Sequence, residues 1–458
     1  MRHLYDRTAR TRCLNPRMKS RLVFWFAAAL LILAQFQDRR WSGLEVFDWD
    51  QGGYYSYLPA TFLYHDPGRV DSLAQLVQQR WPADRNHSIA ALGVFRLPNG
   101  RYATKYPLGV ALGELPWFGG AHVFARLHGD PLNGYSRPYQ QAVMVGGMLY
   151  AILGLWILRK LLRHYYSDEV VAWTLAGIAL ATNYFVYASY EAALSHGVLF
   201  LWQAALLYCT MRWYELPRRR WAAGIGLFLG LATLCRFSEA LYVLIPITWG
   251  LSSAASWRQR PALLGRCPGQ VALAAGLGLA VVSIQFFFWH ALSGHWVLDG
   301  YQGEHFNFRS PHLLEGLFSF RKGWLLYTPL MAVVLVMGLP RLSRYVPAAL
   351  APVLLLLPAL LYLTFSWEQW WYGGGFSARP LVSAYPLLAL PLGALLAGTR
   401  PGNAARLAVR ALVTGCIVLN LWQTWQYVGG IVESEDYTAE RYRERFFWRN
   451  FPPPPAPW

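Results

Sequence analysis

Long apolar stretches separated by short arginine-bearing turns dominate this chain, and no single water-soluble core could absorb them all. A membrane-crossing helix needs about 20 mostly apolar residues, fewer where it is broken or re-entrant. Stretches of this kind lie near 21–37, 138–158, 169–188, 193–211, 222–236, 239–252, 270–290, 323–339, 346–365, 379–397 and 406–427. Read as spans, they predict an all-α polytopic membrane protein of about eleven transmembrane helices. The charged share agrees: 14% of the residues, against about 25% in an ordinary soluble domain.

Charge sets the orientation. Lys and Arg number 41 against 24 Asp and Glu, a formal net charge of +17. A nucleic-acid binder would gather such charge on one polar, soluble face. Here it punctuates apolar runs, as at 159–164, 218–221 and 341–344, which points to membrane lipids as partners and away from nucleic acid. With the N-terminus cytoplasmic, Arg159, Lys160, Arg163, Arg212, Arg218, Arg219, Arg220, Arg258, Arg260, Arg266, Arg341, Arg344, Arg400 and Arg406 all fall on the cytoplasmic side. The basic run before the first span then reads as an uncleaved signal-anchor. The stretch 107–127 is assigned to an interfacial or re-entrant element, because a further span there would move every later arginine run outside. The five cysteines show no ligand spacing, so buried or reduced thiols are expected. The membrane domain would occupy 1–427, with an outer tail at 428–458 ending in a proline-rich run.

The outer face thereby receives loops near 38–137, 291–322 and 366–378. The first opens with FDWDQGGYYSY, in which Asp48 and Asp50 flank Trp49 and precede Tyr54 and Tyr55. A carboxylate there suits a general base toward a hydroxyl, two together suit Mg or Mn, and an Asp also suits a helix cap. Glu191 and His196 open a later span, where an acid serves either chemistry or the helix dipole. Arg236 sits at the turn of the short hairpin 222–252, at membrane depth. Glu304, His305, Arg321 and Lys322 come from the second outer loop, and Trp371, Tyr372 and Arg379 from the third. Such cations bind either a lipid-linked phosphate or lipid headgroups. Among the aromatic residues, some would grip a sugar and others would form an interfacial belt. No nucleotide-binding loop, HExxH or GxSxG occurs, so any sugar or phosphate donor would arrive by way of the membrane.

In order, FDWDQGGYY, KYPLGVALGELPWF, YEAALSHGVLFLWQAALLY, GLATLCRFSEALYVLIP and WWYGGGFSARPLVSAYPLLALPL resemble the motifs of the GT-C superfamily of membrane glycosyltransferases. That group includes protein O-mannosyltransferases and the aminoarabinose transferase of lipid A. The resemblance covers about 40–400. It implies a GT-C-like fold with outer-face juxtamembrane helices, in a bacterial inner membrane. The activity implied is transfer of a hexose or pentose, with inversion, from a polyprenyl-phosphate donor to a glycan, lipid or protein acceptor. On this resemblance Asp48 or Asp50 is the base and Glu191 a second acid. Arg236, Arg321, Lys322 and Arg379 hold the donor phosphate, while Tyr54, Tyr55, Lys105, Tyr106, His196, Glu304, His305, Trp371 and Tyr372 line the substrate site. The first motif reads DWD where the mannosyltransferases have an Asp-Glu pair, which leaves open the choice of base and a divalent cation at Asp48 and Asp50. Rival readings are a transporter or flippase of a lipid-linked glycan, and a non-catalytic envelope-assembly subunit. Transporters show paired repeats and mid-span charges, which this sequence lacks.

Overall fold

The computed structural model describes residues 18–37, 41, 45–80, 87–399, 402–433 and 435–449; the basic N-terminal run, Cys13 and the proline-rich end lie outside them. The chain is an all-α bundle with one small hairpin of strands. Its principal helices are α1 (Lys19–Phe36), α2 (Trp49–Tyr55), α3 (Gly109–His128), α4 (Arg137–Tyr165), α5 (Asp168–Leu180), α6 (Ser195–Glu215), α7 (Arg219–Cys235), α8 (Pro268–Ser293), α9 (Leu350–Phe365), α10 (Tyr385–Ala397) and α11 (Ala404–Val428). Six helical segments among the described residues are long and apolar enough to cross a membrane: Lys19–Phe36, Arg137–Tyr165, Pro268–Ser293, Pro347–Phe365, Arg379–Ala397 and Ala404–Val428. Large apolar side chains such as Leu279, Phe287 and Val336 stand mostly exposed on the outside of the bundle. That surface is stable against lipid and not against water, so the protein is a multi-pass membrane protein.

The other expected spans are present as broken or shorter helices, each for a local reason. The stretch 169–188 divides into α5 and a short helix Tyr184–Ala188. The carbonyls freed at the break, on Leu180 and Thr182, accept from Asn420 Nδ2 at 2.9 and 3.0 Å, so the irregular backbone stays satisfied inside protein. The stretch 323–339 breaks at Pro329 and passes through a π-helical turn at Val334–Gly338. The second arm of the short hairpin is irregular: Arg236 is extended, Phe237–Val243 is a 3-10 turn, and only Leu244–Thr248 is α-helical. The stretch 107–127, by contrast, is one continuous helix, α3, lying against α4 and the end of α7.

Helices α7 and α8 pack closely over small residues. A Cβ on Gly226 would come 2.1 Å from the Ala274 carbonyl oxygen, and one on Gly230 would come 2.9 Å from that of Gly278. Small residues four apart on both helices allow this backbone approach, the usual route to tight pairing in lipid. The pair delivers Arg236, at the C-terminal end of α7, to the end of the bundle that also carries Arg379. Helix α10, almost wholly buried, forms the central pillar and carries Arg379 on the 3-10 turn that precedes it.

The long connection between α1 and α4 packs a second core of its own around Phe47, Tyr55, Leu92 and Tyr135. Within it β1 (Val94–Arg96) pairs antiparallel with β2 (Tyr102–Thr104) across a turn at Asn99-Gly100. The hairpin delivers Lys105 and Tyr106 to the site. Four cysteines are described, Cys209, Cys235, Cys267 and Cys416, and all are free thiols.

Candidate active site

Helix α2 places Asp50 in its first turn, and the two glycines that follow let the helix lie close under its neighbours. A Cβ on Gly53 would sit 2.3 Å from both the Leu92 carbonyl oxygen and the Tyr106 ring. Trp49, between the two aspartates, adopts a left-handed φ of 46°, a strained choice for a bulky residue. The two acids find different partners. Asp48 Oδ1 lies 2.7 Å from His87 Nε2, whereas Asp50 Oδ2 lies 2.6 Å from the Arg379 guanidinium. The other oxygen of Asp50 accepts from the Tyr106 hydroxyl.

Around this ion pair the chain gathers residues from six regions. Tyr54 packs on Tyr106 with ring centroids 4.3 Å apart. The Lys105 ammonium lies 3.6 Å from Glu304 and 5.5 Å over the Tyr301 ring. Arg236 sits 5.7 Å over the Tyr372 ring. Gln51 Nε2 donates to Glu191 at 2.8 Å, tying the second acid to the residue beside Asp50. The Tyr187 hydroxyl donates to the Phe376 carbonyl at 3.0 Å and accepts from the Phe376 N–H at 2.9 Å, and its ring meets that of His196. Buried Lys322 donates to the Gly375 carbonyl from the opposite side. These bonds hold the glycine loop so that Arg379 faces Asp50.

Burial works to raise the Asp50 pKa, but Arg379, the Tyr106 hydroxyl and Lys105 outweigh it and hold the carboxyl below the usual aspartate value. Asp50 is therefore a carboxylate at neutral pH. Burial, and then the charge of Asp50, push the Tyr106 phenol well up, so it remains a donor.

Asp50, Tyr54, Lys105, Tyr106, Glu191, Arg236, Glu304, Lys322, Tyr372, Arg379 and, one layer behind, His196 thus gather at one end of the bundle. Five other expected residues stand apart. Tyr55 is fully buried in the loop core, stacked on Phe47 with its hydroxyl on the Gly134 carbonyl. Asp48 turns to His87. His305 is mostly exposed beside Glu368. Arg321 lies 3.9 Å over the Trp371 ring and 3.0 Å from Asp436, so Arg321 and Trp371 are engaged with each other. Toward the divalent cation expected at Asp48 and Asp50 the site offers two carboxylates that are turned to different partners. Asp50 already binds an arginine and a tyrosine, and among the described residues no three His, Cys, Asp or Glu side chains converge.

Sequence reasoning missed Glu239, three residues after Arg236. It is buried, with Oε2 accepting from Gln203 at 2.7 Å and Oε1 from Ser383 Oγ at 3.0 Å. It thereby ties the Arg236 turn both to α6 and to the turn carrying Arg379. An acid within an apolar stretch was the available signal. Tyr301 was also missed, and nothing distinguishes it from the many other interfacial tyrosines.

The backbone aligns with crystal structures of ArnT from Cupriavidus metallidurans. The apo state matches at 14% identity, covering 90% of this chain and 77% of that one, with a TM-score of 0.52. The form bound to undecaprenyl phosphate matches at 15% identity over 89% of this chain and 69% of that one, with a TM-score of 0.54. The apo oligosaccharyltransferase of Archaeoglobus fulgidus aligns at 10% identity, covering 94% of this chain and 60% of that one, with a TM-score of 0.48. No family model matches the sequence, and no curated protein sequence matches it. The likeness to ArnT is one of fold, and it bears out the GT-C fold expected from the order of the motifs.

Proposed function

We propose that this protein is a GT-C-type glycosyltransferase. It takes a sugar from a polyprenyl-phosphate carrier and transfers it to an acceptor hydroxyl or amine at the outer face of a bacterial inner membrane, its N-terminus cytoplasmic. The observation that carries the reading is the Asp50–Arg379 pair, a carboxylate and a guanidinium 2.6 Å apart and enclosed by aromatic rings. The structural neighbour crystallised with undecaprenyl phosphate supports the carrier class.

The chemistry needs a negative group where a proton leaves and positive groups where a phosphate departs. Asp50 takes the proton from the acceptor as its oxygen or nitrogen attacks the anomeric carbon. The bond from that carbon to the phosphate oxygen breaks, and the carrier phosphate leaves with the electron pair. Attack opposite the leaving group inverts the anomeric centre. Arg379, Arg236 and Lys105 are the cations to hold the phosphate. In the resting site Arg379 depresses the basicity of Asp50, and a bound phosphate that draws on Arg379 returns it. Glu191 and Gln51 hold α2 in place, and Tyr54, Tyr301 and Tyr372 offer ring faces to the sugar.

The test is turnover by the purified chain on a panel of polyprenyl-phosphate sugars, comparing wild type with Asp50→Asn and Asp48→Asn. Asp50→Asn should lose activity and Asp48→Asn should keep most of it. Full turnover by Asp50→Asn refutes the assigned base. Because Asp50 is engaged by Arg379 and Tyr106, dialysis against a chelator should leave turnover unchanged; a loss restored by Mg or Mn would return the cation to the site.

A further inference from the structure

Helix α10 begins beside the turn bearing Arg379 and ends at an open cavity, of about 280 Å³, at the opposite end of the bundle. From Arg379 to Leu396 the chain climbs on the order of 25 Å at about 1.5 Å per residue, close to a bilayer's apolar thickness. One water needs only about 10–15 Å³ of such space, so the cavity is large enough for a phosphate ester. Its walls are Tyr166, Trp173, Tyr345 and Leu396, and its charged groups are Arg406 and Arg410.

The charge at this end is unbalanced. Arg406 lies 2.8 Å from Glu169 Oε1, and Arg410 bonds the same oxygen. Lys19 approaches the other oxygen at 3.9 Å. The neighbouring acid, Asp168, is engaged by the backbone N–H and hydroxyl of Ser20, and that hydroxyl in turn accepts from Arg159. Among the described residues, three cations therefore share one carboxylate. Arg410 also lies 5.4 Å over the Trp173 ring, and Arg344 lies 6.0 Å over the ring of Tyr345. Two guanidinium groups with a surplus of positive charge, set in an aromatic pocket between membrane helices, make a receptor for a phosphate headgroup.

We propose that this cavity binds the phosphate headgroup of an anionic phospholipid from the leaflet opposite the Asp50 site, with Arg406 and Arg410 shifting part of their contact from Glu169 to the phosphate. Nothing in the proposed transfer reaction uses these residues.

The experiment is native mass spectrometry of the full-length, detergent-solubilised protein titrated with dioleoylphosphatidylglycerol or dioleoylphosphatidylcholine. Wild type should retain the anionic lipid in excess. The double variant R406Q/R410Q should reduce that excess roughly 25-fold, about fivefold per arginine near an anionic headgroup. Glu169→Gln removes the competing carboxylate while keeping both arginines, and should raise the excess. Equal retention of the two lipids, or an excess that survives R406Q/R410Q, overturns the site. Should the double variant fail to fold, Glu169→Gln decides alone, since unchanged or weaker retention also overturns it. Inorganic phosphate that binds by itself and fully displaces the lipid would refute the lipid assignment.

Discussion

Asp50→Asn should tighten donor binding while slowing turnover, so that Kd and kcat fall together. The wild-type carboxylate binds Arg379 at 2.6 Å, with the Asp50 and Arg379 side chains only 24% and 14% exposed. Two unit charges about 4 Å apart attract by about 4 kcal/mol at an effective dielectric of 20. A donor phosphate approaching Arg379 has to compete with that attraction. Asparagine is close in shape and uncharged, so Arg379 becomes available to the phosphate. Recovery of about a third of the attraction strengthens donor binding about tenfold. The same change removes the proton acceptor, which costs about 10²–10⁴-fold in turnover. The assay is steady-state transfer with the best donor of the panel, together with direct measurement of donor binding under single-turnover conditions. A Kd that rises or stays fixed in Asp50→Asn refutes competition for Arg379. A kcat within threefold of wild type, an order-of-magnitude bound set well below the usual general-base contribution, refutes the base.

Glu239→Ala should leave the Gln203 amide donor unsatisfied in the interior, at about 1–3 kcal/mol, and return Ser383 Oγ to Pro380 and Tyr242 alone, lowering the melting temperature and kcat together. Glu239→Gln should recover much of the stability in a thermal-unfolding assay, and an unchanged melting temperature in Glu239→Ala would contradict the tether. Gly226→Leu should force α7 and α8 apart and cost at least about 1–3 kcal/mol, seen as loss of folded protein on size-exclusion chromatography, whereas Gly119→Ala, where a Cβ meets nothing within 4 Å, should fold normally. Burial, with Arg379 next in effect, pushes the Lys322 ammonium down to about 7 from an unfolded value near 10.4. Between those pH values the unfolded chain binds more protons, so stability should rise with pH by up to about 1.4 kcal/mol per unit. A melting-temperature profile from pH 7 to about 10 should show this slope in wild type and lose it in Lys322→Met.

The sequence by itself determined the solvent this chain is built for. Runs of apolar residues at bilayer length have no alternative burial in one soluble core, and their statistics survive any detail of packing. It also raised Asp48 and Asp50 without choosing between them, together with Glu191, Arg236 and Arg379, because a charge in or beside an apolar stretch is costly unless it has work to do. The Asn99-Gly100 turn between VFR and YAT is a local signal of the same kind, carried by that segment alone.

Only the tertiary structure separated Asp48 from Asp50. They are two residues apart, and their roles diverge because a left-handed Trp49 lies between them and because His87 and Arg379 arrive from distant parts of the chain. Composition is equally silent on Tyr54 and Tyr55, neighbours of which one faces Tyr106 and the other fills a core. Hydropathy could not show where spans break, since a break is tolerated wherever another side chain, here Asn420, satisfies the freed carbonyls. Apolar pattern is a local property that each segment carries alone. Pairing of buried charges belongs to the fold, because the energy of each depends on which distant group reaches it first.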